Sequence, residues 1–166
     1  MAELFSKLAT RKSTKDLQSL GAQLHWPTSP DDYEIGEDIG RGVSATVHKA
    51  TVTPDNGVTQ VVAVKKMNLE SLNCDLDEIV HEAQTMRQFN HPNVLPLYSS
   101  FVAGQELWMV MPYCPGGSVL HLMKFANPDG LEEPVIATIG REVLKALDYV
   151  HKKGGIHRDV KVRTYA

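Results

Sequence analysis

Hydrophobic and polar positions alternate most regularly between residues 33 and 111. Residues 33–40 read as a short strand ending in glycine. Residues 45–52, Ala-Thr-Val-His-Lys-Ala-Thr-Val, are β-branched and alternating, which predicts a second strand. The cluster Thr53-Pro54-Asp55-Asn56-Gly57 is a turn whose Asn-Gly suits a hairpin. Residues 61–65 form a third strand, and the three together predict an antiparallel meander. The period then changes. Over residues 75–89, Ile79, Val80, Ala83 and Met86 supply the apolar face of a helix. Asp75, Asp77 and Glu78 crowd its first turn, where the helix dipole favours anions, and His91-Pro92-Asn93 stops it. Two more strands follow at 97–102 and 106–111, joined through Ala103-Gly104.

Beyond the break at Pro115-Gly116-Gly117 the pattern is helical. Ser118 suits the cap of a short helix over 118–125. Pro134 suits the first turn of a longer helix over 134–153, and Gly154-Gly155 ends it. Val135, Ile136, Ile139, Val143, Leu144, Leu147 and Val150 give that helix a long apolar face. Residues 1–32 are an extension. Leu4, Phe5 and Leu8, and again Leu17, Leu20 and Leu24, fall at helical spacing, but Gly21, Pro27 and Pro30 interrupt any longer helix. Two short amphipathic turns and a disordered stretch both fit this segment.

Composition narrows the classes. Of 166 residues, 42% are hydrophobic and 22% charged, ordinary for a globular protein with a sizeable core. Seventeen basic residues against twenty acidic ones argue against a nucleic-acid or anionic-membrane partner. No apolar run is long enough to suggest a membrane span or a signal peptide. Cys74 and Cys114 are far apart and read as free thiols in a reducing compartment. His81 with His91, or His151 with His157, lack zinc-type spacing to cysteines or carboxylates, so no metal site is assigned.

Four short stretches carry candidate chemistry. Gly40-Arg41-Gly42-Val43-Ser44-Ala45 joins two strands, and glycines let a backbone approach phosphate oxygens closely. Alone, it reads more readily as a glycine-bearing hairpin turn. Its context separates it from other nucleotide loops: a dinucleotide-binding loop opens a helix, a Walker loop continues into Gly-Lys-Ser/Thr, and this loop opens a strand. Val62-Ala63-Val64-Lys65 ends the third strand with a cation that could pair with phosphates, and Glu82 on the following helix is the natural anion to orient it. Lys66 beside it reads as a solvent-exposed strand lysine. Val47 and Ala63 could roof an adenine slot, with Met111 behind it and Pro112-Tyr113-Cys114 as the strand–linker junction. Most of these residues would also serve as core strand in any fold. Finally, Ile156-His157-Arg158-Asp159-Val160-Lys161 follows the long helix as a polar turn.

The order of these stretches resembles the eukaryotic protein kinases: G-x-G-x-x-G-x-V with Ala45 at the third glycine, V-A-I-K, and the start of H-R-D-L-x-x-x-N. The chain looks closest to the germinal-centre branch, near the oxidative-stress-responsive and Ste-type proline-alanine-rich kinases. Trp26, Asp31-Asp32-Tyr33-Glu34, Asn68-Leu69-Glu70, Glu82-Ala83-Gln84-Thr85-Met86, Glu106-Leu107-Trp108, Gly116-Gly117-Ser118 and Arg141-Glu142-Val143-Leu144 carry that likeness. It implies an α+β fold: residues 33–111 as a kinase-like small lobe of antiparallel sheet and one helix, and 112–161 as the linker and the helical beginning of a large lobe. Residues 162–166 fall outside the likeness. It implies ATP and Mg²⁺ as cofactors, with Lys65, Asp159 and Lys161 catalytic. ATP is expected against Ile39, Gly40, Arg41, Gly42, Val43, Ser44, Ala45, Thr46 and Val47, against Ala63, Lys65 and Glu82, and against Met111, Tyr113 and Cys114. Protein Ser/Thr substrates, upstream kinases and a cytoplasmic signalling role in osmotic or ion-transport stress are implied as well.

The likeness stops after Lys161. Thr164 stands where the family has its metal-binding Asn, and neither D-F-G nor A-P-E occurs. Because phosphoryl transfer relies on positioning and metal electrostatics, these 166 residues alone are expected to lack useful activity. A non-catalytic regulatory module that competes for a kinase's partners is the alternative reading. The apolar face of the long helix is expected to stay largely uncovered, which favours association.

Overall fold

The computed structural model describes residues 24–42, 45–70, 85–158 and 160. They form two compact units, the first running to Tyr113 and the second from Cys114.

The first unit is a five-stranded antiparallel sheet: β1 (Tyr33–Arg41), β2 (Ala45–Val52), β3 (Gln60–Asn68), β4 (Ser99–Ala103) and β5 (Glu106–Pro112), in the order β1-β2-β3-β5-β4. The meander β1–β2–β3 is the one the alternation predicts. β3 runs three residues beyond Lys65, because Lys66 is not a free surface lysine: it is half-buried, with Nζ 3.9 Å from the Trp108 ring centroid. The ammonium over the ring is held by cation–π attraction, and Lys66 stays in the ladder, paired with Thr46 and Trp108. β4 begins at Ser99 rather than at 97; Leu97 is buried, but Pro96 ahead of it has no N–H for a ladder. A two-residue loop joins β4 to β5, and its first residue, Gly104, has φ 59°, a conformation that glycine adopts without strain.

Side chains alternate across the sheet, so its two faces have separate chemistry. One face is aromatic: Tyr33, Ala50, Val52, Val62, Val64, Trp108 and Val110 form a buried cluster with Trp26. Trp26 is only 4% exposed and stacks on Tyr98 at 4.3 Å. The extension expected to end at residue 32 therefore contributes its final residues to the sheet's core. Two further ties hold it there: the Tyr33 hydroxyl donates to Pro27 O at 2.7 Å, and the His25 amide to Asp55 Oδ1 at 3.2 Å. The other face packs Leu97, Leu107 and Met109 with Met67, Leu69, Met86 and Met111. Residues 85–87 are helical and Gln88 and Phe89 close a turn on Thr85 O and Met86 O, so the expected 75–89 helix ends before Gln88; residues 75–84 lie outside the described residues.

The second unit contains α1 (Val119–Ala126) and α2 (Glu133–Lys152). Ser118 caps α1 as expected, its Oγ accepting from the His121 amide at 3.1 Å. The end of α2 is a Schellman motif: Gly154 N–H donates to His151 O, Gly155 N–H to Val150 O, and Gly154 has φ 82°. No residue of α2 is buried, and Ile136, Val143 and Leu144 are exposed. The apolar face of this helix is uncovered over much of its length.

Candidate functional site

Sheet register assembles the site. Val47 pairs with Lys65, Lys65 with Met109, Lys49 with Ala63, and Ala63 with Met111. With a side-chain period of two, these residues share the face opposite the aromatic cluster. Ala63 is 6% exposed, while Val47, Lys65 and Met111 are half-buried. A cation thus stands among apolar walls, and Glu82, the expected anion, lies outside the described residues. Gly40 pairs with Val47, which brings the glycine loop to the same end of the sheet as Lys65.

The loop itself is tied down. The Gly42 amide donates to Ala45 O at 2.8 Å and closes the turn. Val43 and Ser44, at its tip, lie outside the described residues. Ile39 is exposed, and so is Arg41. Thr46 pairs with Arg41 and Lys66, which puts it on the aromatic face, so its side chain does not join Val47 and Lys65.

Sequence reasoning missed Asp38. Its Oδ1 accepts from the Gly40 amide at 3.1 Å, and its Oδ2 from Arg41 Nη2 at 2.8 Å and Nε at 3.3 Å. The Arg41 bond, with a smaller share from the Gly40 amide, holds the Asp38 carboxyl below its ordinary range against the cost of desolvation. The signal was present as Asp-x-Gly, since Asp side chains commonly accept from the backbone two residues on.

At the strand–linker junction Pro112 is buried at the end of β5, and the first unit runs to Tyr113. Lys49 Nζ lies 5.3 Å from the Tyr113 ring centroid and 3.4 Å from Glu37 Oε1. Cys114 opens the second unit and is exposed. In that unit Arg158 has φ 62°, a left-handed conformation uncommon for a residue with a side chain. Asp159 and Lys161, the expected catalytic pair after it, lie outside the described residues.

Comparison with known proteins agrees with this architecture. The protein kinase domain family matches residues 33–163. Germinal center kinase 3 of Caenorhabditis elegans is 46% identical over 145 residues, covering 82% of this chain and 24% of that protein. Serine/threonine-protein kinase fray2 of Dictyostelium discoideum is 44% identical over 138 residues, covering 82% of this chain and 13% of that protein. Among solved structures, Rad53 1-466 in complex with AMP-PNP superposes with a TM-score of 0.67 at 28% identity, covering 78% of this chain and 33% of that one. The chain spans a quarter or less of the length of these two relatives. It is similar in sequence to Ser/Thr kinases of the germinal-centre branch, it has the protein kinase fold, and it belongs to the protein kinase domain family.

Proposed function

We propose that the face of β1, β2 and β3 carrying Val47, Ala63 and Lys65 binds ATP, and that the chain is the nucleotide-holding part of a protein Ser/Thr kinase. The observation that carries this reading is the register. It sets an apolar roof of Val47 and Ala63 beside the Lys65 amine, at the end of the sheet where the glycine loop turns. Adenine requires apolar walls, and phosphates require a cation and backbone N–H groups. The AMP-PNP bound to the Rad53 neighbour supports the same ligand class.

In the proposed reaction a protein Ser or Thr hydroxyl attacks the γ-phosphorus. The bond to the β–γ bridging oxygen breaks, ADP leaves, and the hydroxyl proton passes to a base, the role proposed for Asp159. Lys65 would hold the α- and β-phosphates through this step, with Glu82 orienting it. Lys161, beside Asp159, is proposed to act at the same centre. Cys114 and Tyr113 would supply backbone and ring contacts to adenine. Mg²⁺ would shield phosphate charge during transfer. Among the described residues no three His, Cys, Asp or Glu side chains gather into one group. The 166 residues contain no Asp-Phe-Gly triplet, so on their own they are expected to bind nucleotide without transferring its phosphate. A cytoplasmic role in stress or ion-transport signalling, and partners among protein substrates and upstream kinases, belong to the same proposal.

An acyl-phosphate derivative of ATP tests the binding site directly. If the site is as proposed, the mixed anhydride transfers its acyl group to the amine nearest the phosphates. Peptide mapping should then find Lys65 acylated, with the labelling prevented by excess ATP. Equal, ATP-insensitive labelling of Lys49, Lys65 and Lys66 would overturn the assignment.

A further inference from the structure

β1 does not run straight beside β2. Tyr33, Glu34 and Ile35 pair with Val52, Thr51 and Ala50 in one register. The register has shifted by one residue at Asp38, which pairs with His48, and by one more at Gly40, which pairs with Val47. Each shift leaves an extra residue on β1, and Ile39 lies within the second. Bulges of this kind bend a strand, raise its twist and re-aim side chains, and they are frequent beside functional sites. They also disrupt the ladder, so the amides involved need other acceptors. For Gly40 that acceptor is the Asp38 carboxylate, at 3.1 Å.

We infer that Asp38 is a positioning residue for nucleotide binding: by holding the Gly40 amide within the second bulge of β1, it sets the direction from which Ile39 and the glycine turn meet the nucleotide. This rests on the ATP-binding reading above. Asp38 does not contact the nucleotide face itself. Its pairing partner His48 lies opposite Val64 of the aromatic cluster, whereas Val47 lies opposite Lys65. Arg41 pairs with Thr46 on that same aromatic side. Its guanidinium grips the second carboxylate oxygen and keeps the first one aimed at Gly40. A charged carboxylate is a stronger acceptor for an amide than a neutral group, so the bulge is fixed before any ligand arrives. Ordering the loop in advance removes that cost from binding.

The role predicts a pattern that a merely structural residue would not give. Asp38→Asn keeps an oxygen able to accept from Gly40, and Asp38→Ala removes it. Titration calorimetry with ATP, at a temperature where all three proteins are folded by circular dichroism, should give Asp38→Asn an affinity within a few-fold of wild type. Asp38→Ala should bind on the order of tenfold more weakly. Amide exchange, which needs no nucleotide, should show faster exchange at Gly40 in Asp38→Ala than in wild type. Equal ATP affinity in wild type and Asp38→Ala, Asp38→Asn as weak as Asp38→Ala, or an unchanged Gly40 exchange rate would each overturn the role of Asp38. Absence of ATP binding by the wild-type chain, with Gly40 exchange still dependent on Asp38, would overturn the nucleotide reading instead.

Discussion

Val47 and Lys65 are direct partners across β2 and β3. The two residues stand one per strand on the same face, so a β-branched wall and a cation are brought together by backbone pairing alone. Ala63, two residues before Lys65, extends the wall, and Met109 and Met111 continue it on β5. A register slip of one residue would move Lys65 into the aromatic cluster and Val64 into the site, so the buried aromatic face also protects the register of the nucleotide face.

That protection depends on Trp26. The ring is 4% exposed and stacked on Tyr98 at an interplanar angle of 6°. Trp26→Ala should destabilise the first unit by about 3–5 kcal/mol, the usual range for truncating a buried aromatic. Urea unfolding followed by circular dichroism measures it. A loss below about 1 kcal/mol would show that residues 24–32 are not part of this core.

Ser99 has the opposite expectation. It is 1% exposed, and its Oγ has no hydrogen-bond partner among the described residues. An unsatisfied buried hydroxyl costs about 1–3 kcal/mol, so Ser99→Ala should leave stability unchanged or raise it by about 1 kcal/mol. A loss greater than about 1 kcal/mol in the same unfolding assay would mean that the hydroxyl is bonded.

Tyr33 makes stability sensitive to alkali. Burial, and then the Asp32 carboxylate, push its phenol well above the ordinary value of 10.0. The folded state therefore keeps a proton that the unfolded chain releases. This contribution is fully present below about pH 10 and is lost as pH rises towards the folded value. Tyr33→Phe keeps the ring beside Phe101 and Trp108 but has no proton to release. Between pH 8 and 11 its urea midpoint should fall less steeply than wild type; equal slopes would exclude Tyr33 as the cause.

Much of this architecture was legible in the residues. β2 begins and ends where its β-branched alternation does, and α1 is capped by the expected Ser118, because both signals are local. The end of α2 is equally local, with Gly154 taking the left-handed residue of the Schellman motif. What was not legible depends on contacts across the sheet. Trp26 looked like part of an extension because its partner Tyr98 lies far along the chain. Lys66 reads as a surface residue because nothing near it in sequence shows that the Trp108 ring lies beneath its ammonium group. The bulges of β1 leave no mark in an alternation pattern, and only the Asp-x-Gly spacing marks Asp38 beside the glycine loop.

The most direct measurement is a thermal melt of the purified chain with and without ATP and Mg²⁺, beside Lys65→Met and with adenosine as a second ligand. A ligand at a hundred times its Kd stabilises the folded state by about 2.7 kcal/mol, enough to raise the midpoint by several degrees. ATP should give that rise in wild type and little or none of it in Lys65→Met, while the response to adenosine should survive the substitution. An ATP response of equal size in both proteins would mean that Lys65 and its β2 partner Val47 do not form the nucleotide site.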